Sequence, residues 1–77
     1  MKITREQAFE MLAHRLEHAR LEHPVFATSK VEAVAVVRAE MDELMDAVAS
    51  EGPARVIDEA LDVAATAMRL VMGEVKG

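Results

Sequence analysis

Two pairs of acidic residues, each with a spacing of three, stand out in this 77-residue chain. The first pair is Glu40 and Glu43, and the second is Glu59 and Asp62. Residues three apart lie on the same face of a helix, so each pair presents two neighbouring carboxylates. Carboxylates gathered at one place repel one another, and a site made only of oxygen ligands favours Mg²⁺ or Mn²⁺. The spacing therefore predicts a divalent metal site, provided that the fold brings the two pairs together.

Capping residues and a proline mark the first two helices that would carry these acids. Thr4 and Gln7 form a capping box, which predicts a first helix from about residue 5. Pro24 disfavours helical backbone at the residue before it and ends this helix. Ser29 and Glu32 form a second capping box, which predicts a second helix that runs to about residue 49.

A short connection leads into a third helix. Gly52 suits the end of one helix and Pro53 suits the first turn of the next, so helix 3 should run from Pro53 to about residue 72. Gly73 and Gly77 then predict a fraying tail. Because the connection is short, helices 2 and 3 should be antiparallel neighbours, with helix 1 packed across them. No segment alternates like a strand, so the sequence predicts an all-α, three-helix protomer.

An antiparallel hairpin would place the acidic pairs opposite each other. Glu43 lies about as far before the turn as Glu59 lies after it, and Glu40 and Asp62 match in the same way. At ~1.5 Å of rise per residue, the mismatch in depth is about one residue. Glu40 also falls within the apolar face of helix 2 and Glu43 borders that face, where an unpaired acid is costly. We therefore expect all four carboxylates to form one site.

The apolar content exceeds what one small protomer is able to bury. A chain of this length buries only roughly 60% of its unfolded surface, and without cysteine it has no disulfide to compensate. The apolar arc of helix 3 is wider than the surface helix of a three-helix monomer needs. We therefore expect helix 3 to meet a partner chain, and a homodimer or homotetramer to complete the helical bundle.

Charge and hydropathy exclude two classes of partner. The net charge of −5 argues against nucleic-acid binding, which requires a basic surface. No apolar run reaches the ~18 residues of a membrane span, and the N-terminus lacks the apolar core of a signal peptide. We expect residues 1–77 to form a single domain of a cytoplasmic protein.

The double acidic motif, with fifteen residues between its halves, resembles the signature of the all-α NTP pyrophosphatase superfamily, and its MazG-like branch in particular. The segments "AEMDELMDAV" and "VIDEALDVAATAMRLV" are similar to the two metal-binding helices of that family, and the resemblance covers residues 29–72. It implies Mg²⁺-dependent hydrolysis of nucleoside triphosphates to monophosphate and pyrophosphate, as in house-cleaning of the nucleotide pool. Phosphoribosyl-ATP pyrophosphohydrolase resembles the same helical pattern and is an alternative within the enzyme class.

The resemblance also implies a role for individual residues. The expected metal ligands are the four acids of the motif: Glu40, Glu43, Glu59 and Asp62. Bound Mg²⁺ or Mn²⁺ would lower the pKa of an attacking water. One carboxylate could accept the proton of that water; Glu43 is our candidate, although the motif does not choose among the four. The expected phosphate ligands are three cations, of which the first is the best placed: Arg69, Lys30 and Arg55.

Other interpretations of the same residues remain open. The chain could be a non-catalytic interaction module or regulatory subunit whose apolar arcs bind another helical protein. His14 and His18 have a spacing that suits zinc, but they lie opposite the apolar stripe of helix 1 and are interpreted as solvated. His23 continues that stripe and is interpreted as a packed or capping residue. A di-iron bundle would need E-x-x-H pairs, which neither acidic motif supplies.

Overall fold

The computed structural model describes residues 2–50 and 52–75, which form three α-helices. Helix α1 spans Arg5–Glu22, α2 spans Lys30–Ala49 and α3 spans Pro53–Val71. The described residues contain no β-strand. The predicted all-α class is confirmed, and each helix begins and ends within about a residue of the position that its sequence signals indicate.

Hydrogen bonds at the capping residues explain where α1 and α2 begin. Thr4 Oγ1 accepts from the Gln7 backbone N–H at 3.1 Å, and the Thr4 N–H donates to Gln7 Oε1 at 2.9 Å, so the first capping box is complete. At α2, Ser29 Oγ accepts from the Glu32 N–H at 3.1 Å. The Glu32 carboxylate instead accepts from Thr28 Oγ1 at 2.7 Å, so only half of the second capping box forms.

Helix α3 occupies the centre of the fold. It packs on both α1 and α2, whereas no Cα atom of α1 lies within 8 Å of a Cα atom of α2 in the described part of the chain. The expectation that the first helix packs across both of the others is therefore wrong. Because α3 faces a helix on two sides, most of its wide apolar arc is half-buried inside the protomer. Its wide arc therefore does not by itself require a partner chain.

The buried core is made of small side chains. Ala33 and Ala47 of α2, Ala65 of α3 and Ala27 of the connecting loop are at most 1% exposed, and no large side chain among the described residues is fully buried. Alanines let neighbouring helices approach closely, but they remove little apolar area from water. No helix in the described ranges is both long enough and apolar enough to cross a bilayer.

The chain turns back on itself after α3. Gly73 adopts φ +73°, its N–H donates to the Leu70 carbonyl at 3.1 Å, and the Glu74 N–H donates to the Arg69 carbonyl at 2.9 Å. This pair of bonds is a Schellman motif, which ends a helix through a left-handed residue. The following residue, Val75, forms a parallel bridge with Ala27. The tail is thus tied down at Gly73 instead of fraying there, and Gly77 lies outside the described residues.

A Gly73→Ala substitution is expected to lower the free energy of unfolding by about 1–2 kcal/mol, because an L side chain is strained at this positive φ. A β-carbon here would meet no atom within 4 Å, so the loss would come from the backbone alone. Urea unfolding measures it. Gly73→Asn is the matched control, since asparagine tolerates the left-handed region better, and equal losses in both variants would contradict the assignment.

Candidate functional site

Three of the four predicted acids meet between α2 and α3. Carboxylate oxygens of Glu40, Glu43 and Glu59 all lie within 4.8 Å of one another. Glu40 and Glu43 project from adjacent turns of α2, and Glu59 comes from the facing helix α3. Glu43 is exposed, and the other two are half-buried. The packing of these two helices therefore brings together the carboxylates of both motifs.

The fourth acid, Asp62, is held by a cation from α1. Arg15 donates through Nη1 to Asp62 Oδ1 at 2.7 Å and through Nη2 to Asp58 Oδ1 at 3.0 Å. The same Nη1 donates to the Asp58 carbonyl at 3.0 Å. Asp62 therefore lies outside the three-carboxylate cluster but lines the same cavity as Glu40 and Glu43, and its role as a fourth metal ligand stays a prediction. It lies outside the cluster because its charge already has a partner within the protomer.

Mutual repulsion and burial disfavour the charged forms of the clustered acids. The pKa of Glu40 is raised from 4.5 to about 7, first by burial, then by its hydrogen bond with Glu43 and by the negative charges around it. Burial also raises the pKa of Glu59, together with the charges of Glu43 and Asp62, while Arg55 opposes this shift. The Oε2 atom of Glu59 is shielded from solvent and has no hydrogen-bond partner among the described residues.

This donor set fits a divalent cation. It offers only carboxylate oxygens, burial and the neighbouring acids raise the pKa of Glu40 and Glu59, and one of the oxygens has no hydrogen-bond partner among the described residues. Hard cations such as Mg²⁺ and Mn²⁺ take oxygen ligands of this kind, and Mg²⁺ commonly uses one or two carboxylates together with water and phosphate oxygens. Glu40, Glu43 and Glu59 are the residues that would hold the cation.

A cavity of about 380 Å³ adjoins the acids. Glu40, Glu43 and Asp62 line one side, and the side chains of Arg15 and Arg69 contribute to the rest of its lining. The cavity also contacts the apolar side chains of the loop before α2: Val25 and Phe26. Its volume falls in the range of small-molecule sites, and it combines carboxylates with cations and an apolar wall.

Arg69, the best-placed predicted phosphate ligand, is engaged within the fold. It is only 3% exposed, and its Nε donates to Glu74 Oε1 at 2.9 Å. The guanidinium lies 5.0 Å from the centre of the Phe26 ring, within the range of a cation–π contact. Arg20 reaches the other oxygen of Glu74 at 3.1 Å. Arg69 therefore ties the loop before α2 to the segment after α3, and the loop residues Val25 and Phe26 line the cavity beside it.

The other two predicted phosphate ligands do not line this cavity. Lys30 lies beside Val31 and Val34 on a groove along the outer face of α2. Arg55 donates to Ser50 Oγ at 3.2 Å and acts on the cluster by opposing the raised pKa of Glu59. Within one protomer, these two residues are therefore not placed for contact with a phosphate in the cavity.

Sequence reasoning missed Arg15, although its position carried a signal. Leu12, Leu16 and Ala19 belong to the apolar stripe of helix 1, and Arg15 lies at the edge of that stripe. A cation at the edge of an apolar face favours an acidic partner, but periodicity alone does not identify which one. His18 lies 3.4 Å from Glu22 and shares the cavity lining with His23, whereas its predicted zinc-spacing partner, His14, does not line this cavity.

The stability of the metal-free protein is expected to fall as the pH rises from 5 to 8. Between pH 4.5 and about 7 the folded chain keeps a proton on Glu40 that the unfolded chain has released, so the proton's contribution disappears as the pH rises through this window. After allowance for solvent screening, the loss is about 1–2 kcal/mol. Urea unfolding in the presence of a chelator measures it, and a Glu40→Gln variant should show a flatter profile. An equal slope in both proteins would contradict the assignment.

No protein-family model, curated protein or solved structure matches this chain. The acidic cluster, the adjoining cavity and the resemblance of the double acidic motif are therefore the features that bear on function.

Proposed function

We propose that this protein is a Mg²⁺-dependent nucleoside triphosphate pyrophosphohydrolase that converts NTP to NMP and pyrophosphate. The main support is the meeting of Glu40, Glu43 and Glu59 within 4.8 Å, beside a cavity that Arg15 also lines. The motif's resemblance to the MazG-like branch of the all-α NTP pyrophosphatases agrees with this chemistry. House-cleaning of the cytoplasmic nucleotide pool is the role that we propose for it.

An antiparallel arrangement of α2 and α3 is part of this proposal. Two observations support it, since both link positions on opposite sides of the connection. Arg55 of α3 reaches back to Ser50 next to the turn, and Glu59 meets Glu43 farther from the turn. Residues at increasing distance from the turn therefore face one another, as in an αα-hairpin.

Different residues of the chain would bind the metal, accept a proton and contact the phosphate. Glu40, Glu43 and Glu59 hold the cation, which when bound neutralises phosphate charge and lowers the pKa of a water. Glu43, the most exposed of the three, is the candidate to accept the proton of the attacking water. Arg15 pairs with Asp58 and Asp62, and its partly exposed guanidinium is the cation at the cavity that would also contact a phosphate oxygen.

A nucleotide panel with product identification tests the proposal. The purified protein is incubated with standard and oxidised nucleoside triphosphates and with phosphoribosyl-ATP, each with Mg²⁺, Mn²⁺ or a chelator. Release of pyrophosphate that depends on the metal is the expected result. Turnover of phosphoribosyl-ATP alone would assign the alternative enzyme. Release of single phosphates, or no turnover of any nucleotide, would contradict the proposal.

A non-catalytic interaction module is the second candidate function. The observation that favours it is the exposed apolar surface of α2, where five large side chains between Val31 and Val48 are open to solvent. A module of this kind would form a stable complex with another helical protein and would release no pyrophosphate. Pull-down of a stoichiometric partner, together with an inactive nucleotide panel, would favour it over the enzyme.

A further inference from the structure

The outer face of α2 carries a continuous heptad stripe that its own protomer leaves uncovered. The stripe consists of six residues that follow one another at alternating intervals of three and four positions: Val31, Val34, Arg38, Met41, Met45 and Val48. The five apolar members are between 43% and 83% exposed, and Arg38 is exposed as well. Spacing of this type is the a/d pattern by which two helices pack along a seam.

The stripe points away from the acidic cluster. At ~100° per residue, its centre lies about 130° from Glu40 and about 170° from Glu43 around the α2 axis. The opposite side of the helix packs on α3 through the buried residues Ala33 and Ala47. A partner on the stripe would therefore leave the cavity and its carboxylates accessible.

We propose that the stripe on α2 binds the same stripe of a second copy in an antiparallel two-fold dimer. The flanking residues Ala35 and Ala39 help to shape a groove of about 580 Å³ along this face, in which side chains of a second helix can pack. The stripe spans about 26 Å at ~1.5 Å per residue. Its self-complementary pattern matches the isologous contact of a two-fold dimer.

The charges on the stripe select the antiparallel orientation. In a parallel, in-register pair, Arg38 would face Arg38 of the second copy at the seam, and two like charges would be desolvated together. In the antiparallel pair, Val31 faces Val48 and Val34 faces Met45 of the second copy. Arg38 then lies beside Met41 and Asp42 of the second copy, and the two-fold axis repeats this opposite-charge pair.

Light scattering coupled to size-exclusion chromatography tests whether the protein dimerises through the stripe. At about 50 µM, a dimer with a Kd near 1 µM should give twice the protomer mass. Val34→Glu on the stripe should raise the Kd at least about 100-fold, so that most of the sample is monomeric, because the two-fold axis places two desolvated charges in the seam. Val71→Glu is the matched control, since Val71 is 78% exposed on α3. Circular dichroism checks that both variants remain helical.

Three outcomes of that experiment would contradict the proposal that the stripe is a dimer interface. They are a monomeric wild type, a dimer that survives Val34→Glu, and a dimer that Val71→Glu dissociates instead. If Val34→Glu unfolds the chain, Met41→Gln replaces it as a milder polar substitution on the stripe. If the protein bound a different protein through this stripe and did not self-associate, the proposal of a homodimer would also be wrong.

Disulfide trapping tests the orientation independently, because the chain has no cysteine of its own. Val31→Cys and Val48→Cys variants are oxidised separately and as a mixture. The antiparallel seam places position 31 opposite position 48 of the second copy, close enough for a disulfide. Cross-linked heterodimers in the mixture alone support the proposal. Cross-linked homodimers of each single variant would show a parallel seam and overturn it. These readouts need no nucleotide, so they are independent of the proposed enzymatic activity.

Discussion

A Glu40→Gln variant is expected to lose at least about 100-fold of its Mg²⁺-dependent turnover, since even the loss of a residue that only supports a ligand costs 10–100-fold. The same change should stabilise the metal-free protein at pH 8 by about 1–2 kcal/mol, because it removes a carboxylate whose charge the cluster disfavours. Activity and stability therefore move in opposite directions. Pyrophosphate release and urea unfolding in a chelator measure the two effects on one preparation.

Asp46→Asn is the matched control for this prediction. Asp46 is an exposed acid on the same helix, and it is not one of the carboxylates within the 4.8 Å cluster. Its neutralisation should leave turnover within about twofold and stability within about 0.5 kcal/mol of wild type. If Glu40→Gln destabilised the metal-free protein, or if it retained full Mg²⁺-dependent turnover, the assignment of Glu40 as a metal ligand would be wrong.

An Arg69→Met variant is expected to lose about 2–4 kcal/mol of stability, near the cost of removing one partner from a buried ion pair. Arg69 is 3% exposed, and its removal leaves the Glu74 carboxylate with only Arg20 as a cationic partner. The cation–π contact with Phe26 is lost as well. Thermal and urea unfolding of the two proteins provide the measurement.

A double-mutant cycle separates the ion pair from the packing of the long side chain. Arg69→Met/Glu74→Gln should be more stable than Arg69→Met alone, because it no longer leaves a partly buried charge short of a partner. Arg5→Met, which removes an exposed arginine at the start of α1, should change stability by less than about 0.5 kcal/mol. A loss below about 1 kcal/mol in Arg69→Met would contradict a structural role for the buried guanidinium.

Local signals predicted the helices of this fold well. Thr4, Ser29 and Pro53 each act on the backbone within a few residues, so the helix starts could be predicted without knowledge of the packing. The meeting of Glu43 with Glu59 could also be predicted, since it depends on counting residues from a short connection.

Contacts across long stretches of chain could not be predicted in this way. Arg15 and Asp62 are separated by 47 positions, and their pairing depends on which side of α3 receives α1. The ion pair between Arg69 and Glu74 depends on Gly73, because the positive φ of Gly73 turns the chain back over α3. Glycine after a helix is compatible both with a Schellman turn and with a frayed end, so its identity alone does not choose between them.

The alanine core also determines how the stability of the protein should vary with temperature. Because Ala33, Ala47 and Ala65 hide little apolar area, unfolding of an isolated protomer should carry a small heat-capacity change and a shallow dependence on denaturant. Its stability curve would then be low and broad, with little variation between cold and warm conditions. Apolar surface buried between two copies would add heat capacity and make the melting temperature rise with protein concentration.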